Sequence, residues 1–240
     1  YDAVDIQGAK TTADKIFGVL EIGDVKQIDK KDAQELNALH IKNLSKSYGD
    51  RQLFTHLNLD VQAGQKVLIK GPSGCGKSTL FRLITGEEIA DEGEIIGVTT
   101  VNECTSSFVS SIGIISQHPF LFNDTVRYNL TLGQEFSEEE LLAVLKQVKL
   151  DFELTGGLDF IIKNNGENIS GGQRVRIELA RFLLRRKNLL LADEVTAALD
   201  KENAFMVHEL LFSLPVMMLE IAHHIDDESR YQQVVDLGKY

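Results

Sequence analysis

The sequence contains little cysteine, proline and tryptophan, and these scarcities narrow what the protein can be. Its 240 residues include two cysteines, three prolines and no tryptophan. Cys75 and Cys104 cannot make the disulfide framework of a small secreted domain, and they fit a reducing compartment. No apolar run approaches the roughly 18–20 residues that a bilayer-spanning helix needs, and nothing resembles a signal peptide. A disulfide-stabilised secreted scaffold and a membrane span within this stretch of chain are therefore not expected.

Positive charge is also scarce. Lysine and arginine number 25 against 36 acidic residues, so the formal net charge is −11. This balance predicts no nucleic-acid partner and no general attraction to anionic membranes. Any anion site must be local, built from backbone N–H groups and a few cations. The hydrophobic fraction of 43% suffices for a substantial core, in one large domain or in a domain with a subdomain.

One glycine-rich stretch carries the clearest chemical signal. The sequence from Gly71 to Ser78 matches G-x-x-x-x-G-K-[ST], the phosphate-binding loop. An apolar strand pattern at Val67–Ile69 precedes it and a helical pattern at Leu80–Ile84 follows it, which is the context that the motif requires. The glycines let successive N–H groups point into one concavity, and the helix start adds partial positive charge.

Two side chains of this loop have specific expected roles. Lys77 is expected to reach the outer phosphates of a nucleoside triphosphate, and the Ser78 hydroxyl to ligate Mg²⁺. The residues predicted to contact the nucleotide here are Gly71, Pro72, Ser73, Gly74, Cys75, Gly76, Lys77, Ser78 and Thr79. By itself the loop identifies only a triphosphate site, because many unrelated activities use it.

Apolar patterning predicts strands on both sides of the loop. Alternation between Leu39 and Val61 indicates antiparallel strands. Further strand candidates are Val67–Ile69, Glu94–Ile96, Ile112–Ile115, Leu189–Ala192, Val216–Ile221 and Val234–Val235. Because these candidates alternate with helical segments, the sequence predicts an α/β fold with a parallel core sheet.

The stretch between residues 120 and 186 is predicted to be mostly helical. Ser137 and Glu140 form the S-x-x-E pattern of a capping box, and apolar residues follow it at helical spacing. Turns are expected at Gly156-Gly157 and at Asn164–Gly166, and a second helix from Gln173 to about Arg186.

Polar residues stand directly after several predicted strands, where ligands gather in parallel α/β sheets. Asp193 is expected to hold Mg²⁺; the alternative is a plain turn residue. Glu194 is expected to take a proton from an attacking water, with a solvated surface acid as the alternative. Gln117 would orient that water or complete the Mg²⁺ shell, unless it merely ends a strand. His223 would bond the γ-phosphate, unless it is structural.

The segment Ile169–Gln173, with the sequence ISGGQ, indicates a second anion site. Ser170 is a suitable N-cap for the helix that follows, and Gly171 and Gly172 leave backbone amides open to an anion. Taken alone, the segment fits an ordinary glycine-rich helix cap equally well.

Taken together, these motifs resemble those of the ATP-binding cassette (ABC) family, in the same order along the chain. The matching segments are GPSGCGKST at 71–79, Gln117, ISGGQ at 169–173, LLLADE at 189–194, ALD at 198–200 and His223. The ISGGQ signature separates this family from kinases, GTPases and other phosphate-loop proteins. The similarity covers roughly residues 36–240. It implies a RecA-like phosphate-loop NTPase core with an antiparallel β subdomain and an α-helical subdomain at about 118–186.

Two further segments resemble the exporter branch of the family. The run QHPFLFNDTVRYNL at 117–130 looks like its glutamine loop, and Ala13–Phe17 looks like the link that follows the last membrane helix. Residues 1–35 show apolar residues at helical spacing, which fits either such a linker or a poorly ordered end. Because the chain begins at Tyr1 rather than Met, we expect it to be a piece of a longer protein with an N-terminal transmembrane domain.

The resemblance implies further roles position by position. Tyr48 matches the aromatic residue that stacks on adenine; a plain hairpin tyrosine is the alternative. Ser170 and Gly172, within the signature Ser170–Gln173, match groups that contact the γ-phosphate of ATP bound to a partner subunit. Asp200 matches a loop that communicates across that dimer. Two nucleotide-binding domains, identical or different, would close head to tail around two Mg-ATP.

Three features depart from the family's pattern. Ile169 replaces the usual first leucine of the signature, and Ala192 is smaller than the usual strand residue. The segment Lys163–Gly166 lacks the glutamate that exporters commonly carry before the signature. The last difference concerns communication with the membrane partner, and no catalytic position is missing.

The sequence therefore predicts the ATP-binding and ATP-hydrolysing domain of an exporter of unknown substrate, at the cytoplasmic face of the cell membrane. Two alternatives remain open. A soluble cassette ATPase of DNA repair or translation shares these motifs, but it usually carries a long coiled-coil insertion or two cassettes. A non-hydrolysing cassette that regulates a partner is the other, and the presence of Glu194 and His223 argues against it.

Overall fold

The computed structural model describes residues 35–99, 103–104, 107–117, 119–150, 154–222, 225 and 227–240. Its strands are β1 Leu36–Tyr48, β2 Arg51–Gln62, β3 Lys66–Lys70, β4 Glu92–Thr99, β5 Glu103–Cys104, β6 Ile112–Ile115, β7 Leu189–Asp193, β8 Met217–Ile221 and β9 Gln233–Asp236. Its α-helices are α1 Lys77–Ile84, α2 Val126–Thr131, α3 Glu138–Gln147, α4 Gly171–Leu184 and α5 Lys201–Ser213. In the part of the chain that these ranges cover, no helix is both long enough and apolar enough to cross a bilayer.

A parallel sheet with the strand order β6-β7-β8-β3-β9 forms the centre of the fold. Strands β7, β8 and β3 each have a neighbouring strand on both sides and are mostly apolar, as expected for the centre of a parallel sheet. The run Leu189–Ala192 is fully buried. This sheet confirms the predicted α/β fold class. Because all five strands are parallel, their carboxyl ends lie at one edge of the sheet.

The side chains of β3 show how the core is divided. Val67 and Ile69 point to one face of the sheet and pack with residues of β1, β2 and α1. Leu68 points to the opposite face and packs with residues of α2, α3, α4 and α5. This alternation follows from the two-residue period of a strand. The parallel sheet therefore separates an antiparallel β layer, together with α1, from a helical layer.

The β layer is an antiparallel sheet with the strand order β2-β1-β4-β5. The predicted antiparallel pair is confirmed, with Leu39 opposite Val61 and Ile41 opposite Leu59. The predicted strand at Glu94–Ile96 belongs to this sheet, as part of β4, and pairs with β1.

The helical layer differs in part from the prediction. The capping box at the start of α3 is present, with Ser137 and Glu140 each bonded to the other's backbone N–H. The described residues between α3 and α4, however, form two short 3-10 turns and no α-helix. Lys149 and Asn165 there have positive φ angles of 58° and 53°, and this conformation interrupts a right-handed helix. Helix α4 likewise ends at Leu184 rather than near residue 186.

Two boundary predictions are not tested by these elements. The linker predicted for residues 1–35 falls outside the described residues except at Glu35. The limits of the helical subdomain, at about 118 and 186, also stay predictions.

Candidate active site

The predicted phosphate loop connects β3 to α1 at the carboxyl edge of the parallel sheet. A side chain at Gly71, where φ is 146°, would place its Cβ 2.7 Å from the Cys75 Sγ and 3.2 Å from the backbone nitrogen of Gly238. Gly76 caps α1 in the left-handed region with φ at 103°. Glycine is therefore required at both positions by close approach or by conformation. The loop is folded as the motif predicts.

Lys77 is the first residue of α1, and its side chain is directed back over the loop. Its residue surface is only 7% exposed. The Nζ donates to the carbonyl oxygens of Gly71 at 2.9 Å and Pro72 at 3.1 Å. Since an ammonium group has three donors, the loop holds the charge in place with two of them. Ser78 is exposed and Thr79 is half-buried in the same helical turn.

The β1–β2 hairpin lies against this loop and adds a cation to it. Arg51 donates from Nη2 to the carbonyl oxygen of Gly74 at 2.8 Å. A Cβ at Gly76 would approach the Phe54 ring to 3.0 Å and the Leu53 Cβ to 3.1 Å. The sequence reading missed Arg51, because its contact with the loop spans 23 positions. Tyr48, at the end of β1 in the same hairpin, is 44% exposed.

Asp193 and Glu194 stand at the end of β7, as the sequence predicted. Both are half-buried. Glu194 has a φ of 50°, an uncommon angle for a residue other than glycine. Its backbone N–H donates to the carbonyl oxygen of Ile221 on β8 at 2.9 Å. Backbone strain of this kind clusters at functional sites.

Gln117 is half-buried just after β6 and next to β7 in strand order, so it shares this edge of the sheet. His223 lies outside the described residues, and its role stays a prediction. The structure thus places the phosphate loop, Gln117, Asp193 and Glu194 at the carboxyl ends of β3, β6 and β7. This is the arrangement that parallel topology requires for a shared site.

The signature segment forms the start of α4. The Ser170 Oγ accepts the N–H of Gln173 at 3.1 Å, and the Gln173 Oε1 accepts the N–H of Ser170 at 2.9 Å. This is a capping box, and Ser170 and Gly171 are exposed beside it. A Cβ at Gly172 would lie 2.6 Å from the Oδ1 of Asn203 on α5. The absence of a side chain at Gly172 therefore lets α4 and α5 approach closely.

Asp200 caps α5 in the same region. Its Oδ1 accepts the Asn203 N–H at 3.0 Å, and its Oδ2 accepts the Asn203 Nδ2 at 2.6 Å. These hydrogen bonds lower the pKa of Asp200. Asn203 thus contacts both the Asp200 cap and the backbone around Gly172, so the two predicted interface segments are packed together.

Two charged residues on α4 were missed by the sequence reading. Glu178 accepts the N–H of Ser116, the neighbour of Gln117, at 3.3 Å. Arg181 donates to the carbonyl oxygen of Phe120 at 2.7 Å and to the Asn129 Oδ1 at 2.8 Å. These contacts connect the signature helix to the segment around Gln117. The sequence could have indicated them, because Glu178 and Arg181 are charged residues among the apolar residues of this helix.

We predict that Glu178 makes stability depend on pH. Burial raises its pKa from 4.5 to about 7, although Arg181 and the Ser116 N–H act in the opposite direction. Between these values the folded chain binds more protons than the unfolded chain, so the free energy of unfolding falls as pH rises. Glu178→Gln should remove this fall, which corresponds to at most about 3 kcal/mol. Chemical unfolding at several pH values between 4.5 and 8 would measure it.

The control for this prediction is Glu139→Gln, a change of an exposed acid on α3. Its unfolding free energy should follow the parent's pH dependence. A Glu178→Gln variant with the same pH slope as the parent would contradict the assignment.

Glu220, a fully buried acid in β8, was also missed. Its Oε2 accepts the Tyr231 hydroxyl at 2.7 Å and lies 3.3 Å from the Nε2 of His208. Burial raises the pKa of Tyr231, and the charge of Glu220 raises it further. The Oε1 has no hydrogen-bond partner within the described part of the chain. The sequence could have indicated it, because Glu220 is the single acid within the apolar run Met217–Ile221.

The residues at the sheet edge fit a magnesium ion bound together with phosphates. Within the described ranges, no three His, Cys, Asp or Glu side chains form a metal-binding cluster. Ser78, Gln117 and Asp193 offer a hydroxyl, an amide oxygen and a carboxylate, which are the hard oxygen donors that Mg²⁺ prefers. Mg²⁺ commonly completes its shell with water and substrate phosphates.

Comparison with known proteins agrees with these motifs. A family model described as ABC transporter matches residues 54–197. An ATP-dependent lipid A-core flippase of Francisella tularensis subsp. holarctica (strain OSU18) is 36% identical over 242 residues, covering 97% of this chain and 40% of the relative. The flippase of the same name from Desulfotalea psychrophila is 36% identical over 246 residues, covering 98% of this chain and 43% of the relative. The chain thus spans about two fifths of the length of these relatives.

A solved structure gives the same result for the fold. A bacterial Atm1-family ABC exporter with ATP bound has a TM-score of 0.72 to this chain at 29% sequence identity. The match covers 97% of this chain and 43% of that chain. In this comparison, the phosphate-loop α/β fold of the present chain therefore corresponds to less than half of a larger protein.

Proposed function

The chain belongs to the ABC transporter family, and we propose that it is the ATP-binding and ATP-hydrolysing domain of an exporter. One observation supports the proposal most directly. At the carboxyl edge of the parallel sheet, the phosphate loop with Lys77 follows β3 and the pair Asp193–Glu194 ends β7, on opposite sides of β8. A nucleoside triphosphate held by the loop would present its outer phosphate toward a carboxylate. The ATP-bound exporter among the structural neighbours supports this proposal.

In this proposal each residue has a defined task. Lys77 and the loop N–H groups bind the phosphates, and the Tyr48 ring stacks on the adenine. Gln117 orients the attacking water, and Glu194 accepts its proton as the water oxygen bonds to the γ-phosphorus. The bond from that phosphorus to the β–γ bridging oxygen breaks in the same reaction, and ADP leaves. Ser78, Gln117 and Asp193 would hold Mg²⁺, which would neutralise charge on the phosphate oxygens. His223 would bond the γ-phosphate.

The proposal includes a second copy of such a domain. Ser170 and Gly172 would contact the ATP held by the phosphate loop of the partner, and Asp200 would lie at the same interface. The proposal covers a partner of identical sequence and one of different sequence. This domain would lie at the cytoplasmic face of the membrane. An attached transmembrane domain would use the closing and opening of the dimer. Exporter relatives that are more than twice as long as this chain support that partner.

We predict that Ser170→Asp prevents nucleotide-driven dimerisation while keeping the fold. Aspartate caps a helix as serine does, so the melting temperature should stay close to the parent's. Its negative charge would face the γ-phosphate of the partner, so association should weaken by at least about tenfold. Light scattering at high protein concentration, with Mg²⁺ and a non-hydrolysable ATP analogue, would measure it.

The control is Ser137→Asp, the equivalent change in the capping box of α3. It should dimerise as the parent does. If Ser170→Asp also dimerised like the parent, the head-to-tail arrangement would be wrong.

A further inference from the structure

A polar cluster around Glu88 holds the side chain of Tyr48. The Tyr48 hydroxyl donates to the Glu88 Oε2 at 2.8 Å. Arg82 donates from Nη2 to the same oxygen at 2.7 Å, and the Lys46 Nζ lies 3.1 Å from the Oε1. The Glu88 side chain is only 20% exposed. Both carboxylate oxygens are therefore engaged, and the hydroxyl of Tyr48 has a fixed partner.

This cluster connects the tip of β1 to the helix of the phosphate loop. Arg82 is on α1, the helix that also carries Lys77 and Ser78. Glu88 lies between α1 and β4, 40 positions along the chain from Tyr48. The Tyr48 ring is thus tied, through one carboxylate, to the element that holds the predicted phosphate ligands.

Lys46 supports one side of the arrangement. Its Nζ lies 5.1 Å from the centroid of the Tyr48 ring and donates to the carbonyl oxygen of Ile89 at 2.7 Å. Asp91 accepts the backbone N–H of Ser47 at 2.7 Å and its hydroxyl at 2.6 Å. The two residues that precede Tyr48 are therefore held in place. Tyr48 itself remains 44% exposed, so it keeps surface for a ligand.

The charges in this cluster persist at neutral pH. The hydrogen bond from Tyr48 lowers the pKa of Glu88, and Lys46 lowers it further. A hydrogen bond from Ser47 lowers the pKa of Asp91 in the same way. An ionised carboxylate is a stronger acceptor for the tyrosine hydroxyl than a neutral one.

We propose that Glu88 is a positioning residue, which holds the Tyr48 ring in a fixed orientation relative to α1, the helix that follows the phosphate loop. This inference rests on the proposed function, in which Tyr48 stacks on the base. An exposed tyrosine without the tether would occupy several rotamers, and the ligand would have to order it on binding. The hydrogen bond to Glu88 holds the ring in the free protein, so ATP binding does not lose the conformational entropy of ordering it.

The test compares ATP with inorganic triphosphate, which lacks the base. Glu88→Gln and Tyr48→Phe should each weaken Mg-ATP binding about fivefold, the usual cost of ordering one side chain. Neither should change the affinity for Mg-triphosphate by more than about twofold, because phosphate ligands are untouched. Calorimetry on the 240-residue chain gives both dissociation constants. In hydrolysis assays, KM for ATP should rise while kcat stays near the parent's value.

Two further variants make the test specific. Glu87→Gln removes the neighbouring carboxylate, which accepts from Thr85 instead, and should bind both ligands as the parent does. The double variant Tyr48→Phe with Glu88→Gln should bind ATP no more weakly than Tyr48→Phe alone, because Tyr48→Phe already removes the hydrogen bond that Glu88→Gln weakens. Tyr48→Phe leaves Glu88 with Arg82 and Lys46, so it answers the question even if Glu88→Gln folds poorly.

The outcomes separate this inference from the proposed function. Equal losses for ATP and triphosphate, unchanged ATP binding in Tyr48→Phe, or additive losses in the double variant would overturn the role of Glu88. In those cases ATP binding by the parent would leave the proposed function standing. A parent chain that binds neither ligand would overturn both.

Discussion

Glu194→Gln should reduce ATP turnover by about 100- to 10,000-fold, the usual contribution of a general base. The amide has the shape of the carboxylate but cannot accept the proton of the attacking water. The backbone at residue 194, held by the hydrogen bond to Ile221, should be unchanged. Binding of Mg-ATP should therefore persist, and ATP-bound dimers should accumulate. Phosphate release and light scattering measure the two effects.

Glu139→Gln, which changes an exposed acid on α3, is the matched control and should turn over ATP at the parent rate. Parent-like hydrolysis by Glu194→Gln would show that another group takes the proton. Absence of hydrolysis in the parent at high protein concentration would favour the regulatory, non-hydrolysing cassette.

Lys77→Ala should weaken ATP binding by about 10- to 100-fold, because charged hydrogen bonds to phosphate are lost. The carbonyl oxygens of Gly71 and Pro72, which now face the ammonium, would then face the phosphates without a compensating charge. Titration calorimetry with Mg-ATP and with Mg-triphosphate should give similar losses. This equal loss distinguishes a phosphate ligand from a residue that acts on the base.

Lys70→Ala provides a control of the same charge change. Lys70 ends β3 directly before the loop, but its Nζ bonds the Glu228 carboxylate at 2.9 Å. Its removal should leave nucleotide affinity within about twofold of the parent, since surface charges act weakly at a distance. Lys77→Ala with unchanged ATP affinity would contradict the assigned role of the loop.

Local features of this fold could be predicted from the sequence because their causes lie within a few residues. The capping box of Ser137 and Glu140 depends on residues three positions apart. Asp193 could be placed at the edge of the sheet because an apolar run stops there and parallel strands end together. The same reasoning placed Gln117 beside it.

Features that depend on distant contacts could not be predicted in this way. The Tyr48–Glu88 and Ser116–Glu178 hydrogen bonds span 40 and 62 positions. Their partners become neighbours only after the sheets have packed. The loss of helix between α3 and α4 had another cause, because left-handed residues such as Lys149 carry no strong sequence signal. Glu220 was overlooked because a single acid hardly changes the average of an apolar run.

The capping box of Ser170 also gives the start of α4 a directionality. Its hydroxyl oxygen already accepts the Gln173 N–H with one of its two lone pairs, and the hydroxyl hydrogen can donate to an acceptor outside the helix. A fully ionised phosphate oxygen, which only accepts, matches this hydrogen, whereas a donor group would have to share the oxygen with the helix. A preference for acceptors is thus built into the local winding of the chain, before any second molecule arrives.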